Sequence, residues 1–527
     1  MSKAERTEGI VGPHKRVARI VAVLAVALCA AAYGDALTLT WNGGATGNFS
    51  DATWSGGAEG HASPQNGDTL VFETGGTFAN DIAGLSLANL DFRSADAVPL
   101  SGSQIAVANG GSITNTGAGV VTFNASLSLG TAATPAIRIG VANGSTVTFN
   151  ACISGAANLV YCDNGTVNLN VDNDYTGKTT INKGLVHVYA NNAFGTTAGN
   201  TEIKYADRSP AILNHVYFHG VTMSENFSNN TKTQTGGIVF PAGTTNVFNG
   251  TVEDAAADMY TYNNNTKIVY NGKATFPNPS AELKASTVVE FNGDGSGFGW
   301  DYFGGPGVIS YGSQCYVKDS SHWVRINTNQ KRYFNCENAM YYNNVPATLR
   351  VYGAGGLADM CGYDQTFWYI SCGSGNASTM ITSAAPSTVH LNLREAGTWS
   401  YAGDRVSYAT IKGPISLSFE GPLPFSIGGN CSAATGSLSL TNASDITFLA
   451  GLEWGGKFPH GGWWFASYGQ CRHHVGGSSG RHPGRAGRRW RHGAVFAHGP
   501  CRQPYGCVPE LERRGARRGK DIWFERV

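Results

Sequence analysis

Acidic side chains gathered near turns are the first residues in this sequence that could do chemistry. Asp172 and Asp174 lie two apart, Glu253, Asp254 and Asp258 form a second group, and Asp294 and Asp301 a third. Two carboxyl groups about 5 to 9.5 Å apart can serve as acid and base, or acid and nucleophile, in glycoside hydrolysis. Asp also favours turns because its side chain hydrogen-bonds the nearby backbone, so these acids read as solvated turn residues and no catalytic residue is assigned. Asp294-Gly295-Ser296-Gly297 begins like a calcium loop but lacks the later ligands. His215, His219 and His322 accompany no Gly-x-Ser-x-Gly elbow and read as ordinary strand or loop residues. Neither a metal nor a cofactor is expected.

A second chemical signal is aromatic. Between Phe298 and Tyr369, 16 of 72 residues are Phe, Trp or Tyr, twice the 11% of the whole chain. Flat rings beside polar groups stack on sugars and anchor binding partners, which makes Trp300, Tyr302, Trp323, Tyr341 and Trp368 candidate ligand contacts, with Arg325 and Arg332 interleaved. The competing explanation is a thicker core or an aromatic-rich subdomain near 298–369 that buries them.

The elements that must carry these residues are short strands. Val247-Phe248-Asn249-Gly250, Val269-Tyr270-Asn271-Gly272, Glu290-Phe291-Asn292-Gly293 and Ser310-Tyr311-Gly312 place an aromatic residue every 22, 21 and 20 positions. Phe123 and Phe149 are 26 apart, Leu169 follows 20 later, and Phe72 and Phe92 are 20 apart. A sandwich would turn every ~8–12 residues. A repeat near 20 fits one coil of a solenoid, in which each inward ring stacks on its equivalent in the next coil. The expectation is an all-β, right-handed parallel β-helix, with the Asn-Gly pairs supplying positive φ at the turns. The 70 Gly and the 14% of charged residues agree with a fold that turns often and lacks amphipathic helices.

One coil is more specific. Asn173-Asp174-Tyr175-Thr176-Gly177-Lys178-Thr179-Thr180-Ile181, then Gly184-Leu185-Val186-His187-Val188 and Ala193-Phe194-Gly195, resembles the autotransporter-associated β-strand repeat, with Lys178 where that family usually has Gly. Thr40-Trp41-Asn42-Gly43, Trp54-Ser55-Gly56-Gly57 and Gly67-Asp68-Thr69-Leu70-Val71-Phe72 resemble the opening of such proteins, and the segment from Phe448 to Lys457 resembles the exit. The resemblance implies a passenger-like β-helix, secreted or on the cell surface, over residues 35–457, with the clear repeat at about 153–197. It implies a structural or adhesin-like role with extracellular glycans or host and cell-surface molecules as partners. It names no activity; the alternative is a β-helix polysaccharide lyase or glycoside hydrolase.

Both ends differ from this body. Lys15, Arg16 and Arg19 precede the apolar run Ile20 to Ala32 and the small residues Ala30, Ala32, Gly34 and Ala36, so residues 1–34 read as a signal peptide. Residues 458–527 hold 12 of the 23 Arg and 6 of the 13 His. The stretch from Arg481 to His492 is what a GC-rich gene encodes out of register, and the tail is expected to be frameshifted or disordered, leaving an outer-membrane anchor uncoded in this frame. The competing explanation is a basic tail for anionic polysaccharide, lipid headgroups or nucleic acid. His473, His474, Cys471, Cys501 and Cys507 lack zinc-ligand spacing. Between the ends, 19 basic and 30 acidic residues give the body a charge of −11, without the basic stripe of a nucleic-acid binder. Cys361 with Cys372, or Cys152 with Cys162, could bridge neighbouring strands or remain buried thiols.

Overall fold

The computed structural model describes residues 36–457 apart from 57–61, 205–213, 230–235, 255–259, 277–279, 299–301, 318–322, 343–344, 394–404, 442–445 and 450–451. The expected signal peptide and Arg-rich tail lie outside the described residues, as do Asp258, Trp300, Asp301 and His322. The side chains of Asp254 and Tyr302 are also outside them.

Short strands of alternating burial stack in register as a parallel β-solenoid of about 15 turns. Val288–Phe291, for example, turns Val289 and Phe291 inward and leaves Glu290 outside. One 16-stranded sheet runs from the first coils to Cys315–Val317, and ten- and nine-stranded sheets form further faces. Among the described residues only two strand pairs are antiparallel: Thr38–Trp41 with Trp54–Ser55, and Tyr341–Tyr342 with Val345–Val351. The first closes the amino-terminal end, where Trp41 meets Trp54 and Phe78 edge-on, each at 5.2 Å.

The aromatic rhythm is a stack inside the solenoid. Phe248, Tyr270, Phe291, Tyr311 and Phe334 occupy one register position in five successive coils. Their ring centroids are 5.4, 5.3, 6.2 and 5.5 Å apart. Each buried ring contributes about 1.5–3 kcal/mol by leaving water, and each ring pair about 0.5–1.5 kcal/mol more. Outside the stack, side-chain amides form ladders: Asn271 Nδ2 donates to Asn249 Oδ1 at 2.9 Å, and Asn292 Nδ2 to Asn271 Oδ1 at 3.1 Å.

The glycines of the Asn-Gly pairs correct the turn expectation. Gly250, Gly272 and Gly293 are not among the positive-φ residues. A Cβ on Gly272 would instead lie 2.1 Å from the Gly250 carbonyl oxygen of the preceding coil. Close coil-to-coil approach, rather than a left-handed backbone, excludes a side chain there.

The specific repeat is likewise spent on stacking. Asn173 is buried, accepts from the Ile153 N–H at 2.7 Å and donates to the Ala193 carbonyl at 2.6 Å, joining its coil to both neighbours. Tyr175 is fully buried with its hydroxyl against Thr179 Oγ1, and a Cβ on Gly177 would strike the Ala157 carbonyl.

Residues 298–369 continue the solenoid: Tyr311 and Phe334 belong to the central stack, and Trp323–Ile326 pairs in parallel with Val345–Val351. The two proposed disulfides do not form, because Cys152, Cys162, Cys361 and Cys372 are all free. Cys361 Sγ turns to the Asp359 carbonyl and Cys372 Sγ to the Asn376 carbonyl, while Cys162 Sγ faces Ile139 and Cys152 Sγ the Ile153 carbonyl. Burial pushes the Cys361 and Cys372 thiols to about 11, so neither is a thiolate at neutral pH.

Candidate functional site

On the outer face of the 16-stranded sheet, Thr180, Glu202, Ser228, Glu253 and Thr275 form one row across five coils. They point outward because the neighbouring residues Thr201, Phe227 and Val252 point inward and are buried. Beside this row the surface sinks into a cleft of about 300 Å³ lined by Asn200, Asn226, Phe227, Ser228, Thr251 and Glu253. Phe227 is buried beneath it, and the rest of the lining is amide, hydroxyl and carboxylate. Asn226 is held from both sides: its Oδ1 accepts from the Thr251 N–H at 2.9 Å and its Nδ2 donates to Asn200 Oδ1 at 3.4 Å. Lys178 ion-pairs with Glu202 on the same face.

Such a lining donates and accepts hydrogen bonds across several coils, which suits a hydroxyl-rich chain. It is poorer as a hydrolytic centre. Glu202 and Glu253 are two coils apart, about 9.5 Å at the strand spacing, well beyond the retaining carboxylate arrangement of glycoside hydrolases and at the outer limit of the inverting one. Glu202 is also occupied by Lys178.

Of the other acids whose side chains are described, none of Asp172, Asp174 and Asp294 lines this cleft. Asp172 Oδ1 caps the Asn192 N–H at 2.9 Å, the turn role that its residue type favours. In the calcium-like segment, Ser296 is buried, donating to the Gly293 carbonyl and accepting from the Ala274 N–H. Among the described residues no three His, Cys, Asp or Glu side chains gather as a metal site.

The aromatic candidates are scattered. Trp300 lies outside the described residues, and only the backbone of Tyr302 is described. Trp323 is 8% exposed and lies beneath two guanidinium groups, Arg325 at 4.5 Å and Arg350 at 5.4 Å from its ring. Tyr341 is half-buried, and half-buried Trp368 packs on the core with its indole N–H covered. Arg332, interleaved with these aromatic residues in sequence, is fully buried and donates to Tyr311 Oη, Gln330 Oε1 at 3.2 Å and the Arg325 carbonyl at 2.6 Å. The rings that do reach solvent are others, among them Tyr189, Tyr352 and Tyr363.

Sequence reasoning reached Glu253 but missed Asn200, Asn226, Ser228, Thr251 and Glu202. Strand parity around Phe227 would have marked Asn226 and Ser228 as outward; nothing local marks them as neighbours of Glu253. It also missed His187, whose ring lies against that of His219. Comparison with protein-family models, curated proteins and solved structures finds no match.

Proposed function

We propose that this chain is an exported, surface-displayed solenoid of the passenger type, a scaffold whose lateral face binds extracellular polysaccharide. The observation that carries the binding role is the polar cleft around Asn226, a 300 Å³ recess lined by side chains from three coils. An elongated ligand fits a site built by stacking equivalent positions, because the site repeats along the axis as the ligand does. Export is supported by the charged and apolar pattern of residues 1–34, and surface display by the resemblance of the Asn173 to Gly195 segment to passenger repeats.

Expressed with residues 1–34 intact, the full chain is expected in the extracellular fraction, where a glycan array should retain it. Asn226→Leu should abolish that retention with the fold intact by circular dichroism. Cytoplasmic retention would contradict export, and an array that captures nothing, or captures Asn226→Leu equally, would contradict the binding role.

The second reading, a polysaccharide lyase or hydrolase, draws on Glu202 and Glu253 in one outward row and on Lys178, which ion-pairs with Glu202. It requires shortening of the bound glycan by the wild-type chain and none by Glu253→Gln.

A further inference from the structure

On a different face of the solenoid, four rings form a checkerboard on two adjacent coils. His187 lies directly opposite Tyr217 in register, and Tyr189 and His219 are the next outward residues of the same two segments. His187 stacks on Tyr217 with centroids 4.4 Å apart and planes 5° from parallel. Tyr189 stacks on His219 at 4.1 Å and 17°. Across the diagonal, His187 Nδ1 faces His219 Nε2 at 3.0 Å. All four side chains are partly open to solvent, with Tyr189 48% exposed.

We infer that the His187 and His219 pair is a chelating site for a late divalent transition metal, zinc, copper or nickel, with the two nitrogens that now share a proton as its ligands. Metal–imidazole bonds are about 2.0–2.1 Å, so two such nitrogens stand about 2.9 Å apart at a right angle and about 3.3 Å at the tetrahedral angle. The observed separation falls between these values. The ion lies to the outward side of the line between the nitrogens, and the rings need only turn slightly within their planes to aim at it. The proton count also closes. Whichever ring now holds the shared proton moves it to its other nitrogen, both imidazoles stay neutral, and no proton is released.

Two features favour the metal over protonated rings. Ligating histidines must be neutral. Burial, with the neighbouring His219 adding to it, holds His187 below the ordinary imidazole range, and burial does the same to His219. The tyrosine faces hold each imidazole in its plane and leave the small rotation within that plane free, so little rotamer freedom is lost on binding. With no third side chain of metal-ligand type gathered among the described residues, water fills the remaining positions and the ion stays open to a further ligand. This inference does not rest on polysaccharide binding and is tested without it.

The chain has 13 His, so the test compares variants of the full chain by titration calorimetry with zinc and with copper. His187→Gln and His219→Gln are each expected to remove one bound ion, or to weaken it by at least about tenfold. Exposed His390→Gln serves as the control and is expected to bind as wild type does. Equal stoichiometry and affinity in all three variants would overturn the site. Should either variant fail to fold, long-range ¹H–¹⁵N spectra of the wild-type imidazoles decide. One equivalent of zinc should shift His187 Nδ1 and His219 Nε2, and unchanged resonances at both would equally overturn it.

Discussion

Glu225 lies 3% exposed inside the solenoid, and neither of its carboxylate oxygens accepts a hydrogen bond from another residue. Burial raises its pKa from 4.5 to about 7. In the unfolded chain the group ionises near 4.5, so between that pH and 7 the folded state holds the extra proton. The contribution of Glu225 to stability is therefore greatest below pH 4.5, falls as pH rises through that window, and levels off above 7. The shift corresponds to a loss on the order of 3 kcal/mol, large beside the stability of an ordinary domain. Glu225→Gln should remove this slope and raise the stability measured by urea unfolding at pH 8. A variant whose pH dependence matches the wild type would show that Glu225 is hydrated in the folded chain. Nothing in the sequence around Ser224-Glu225-Asn226 announces this burial, because a single acid before a short strand looks like any turn residue.

At the scale of the coil, what the sequence reveals is the inward half of each strand. Phe248, Tyr270, Phe291 and Tyr311 repeat at nearly constant spacing because each must fall on the ring before it, and the structure stacks them as that spacing requires. Phe334 continues the stack after a step of 23, but Asn335-Cys336 follows it where the other rings are followed by Gly or Asn-Gly, so the local signature breaks there. The outward half is illegible for a related reason. Which outward residues meet depends on the length of every intervening coil, and the step from His187 to Tyr217 is 30 residues rather than about 20. The same applies to Glu202 and Glu253, which share a row although 51 positions separate them. Asn-Gly was legible as a turn, but its cause was not: close approach of carbonyls cannot be read from one coil. Gly272→Ala should consequently destabilise the chain by about 1–3 kcal/mol in thermal or urea unfolding, as overpacking does. Gly375→Ala, where nothing lies within 4 Å of the added carbon, should fall within about 0.5 kcal/mol of wild type. Similar costs for the two would mean that the coils can spread to admit a methyl group.

For the molecule as a whole, a solenoid separates two tasks that a globular enzyme mixes. The rings and buried Asn residues bind coil to coil, and the side chains between them are left to face outward in rows whose members come from distant parts of the sequence. The repeat residues Asn173, Tyr175 and Gly177 belong entirely to the first task, so a resemblance carried by them speaks for scaffold and is silent on ligand. The Asn226 cleft belongs to the second. Hydrogen–deuterium exchange of the full chain, with and without the polysaccharide that an array selects, tests the assignment most directly. Protection is expected over Asn200–Ile203, Asn226–Asn229 and Val252–Asp254, the strands that carry the cleft, in consecutive coils. Protection confined to the aromatic region around Trp323 and Tyr352, or to no strand of the 16-stranded sheet, would contradict it.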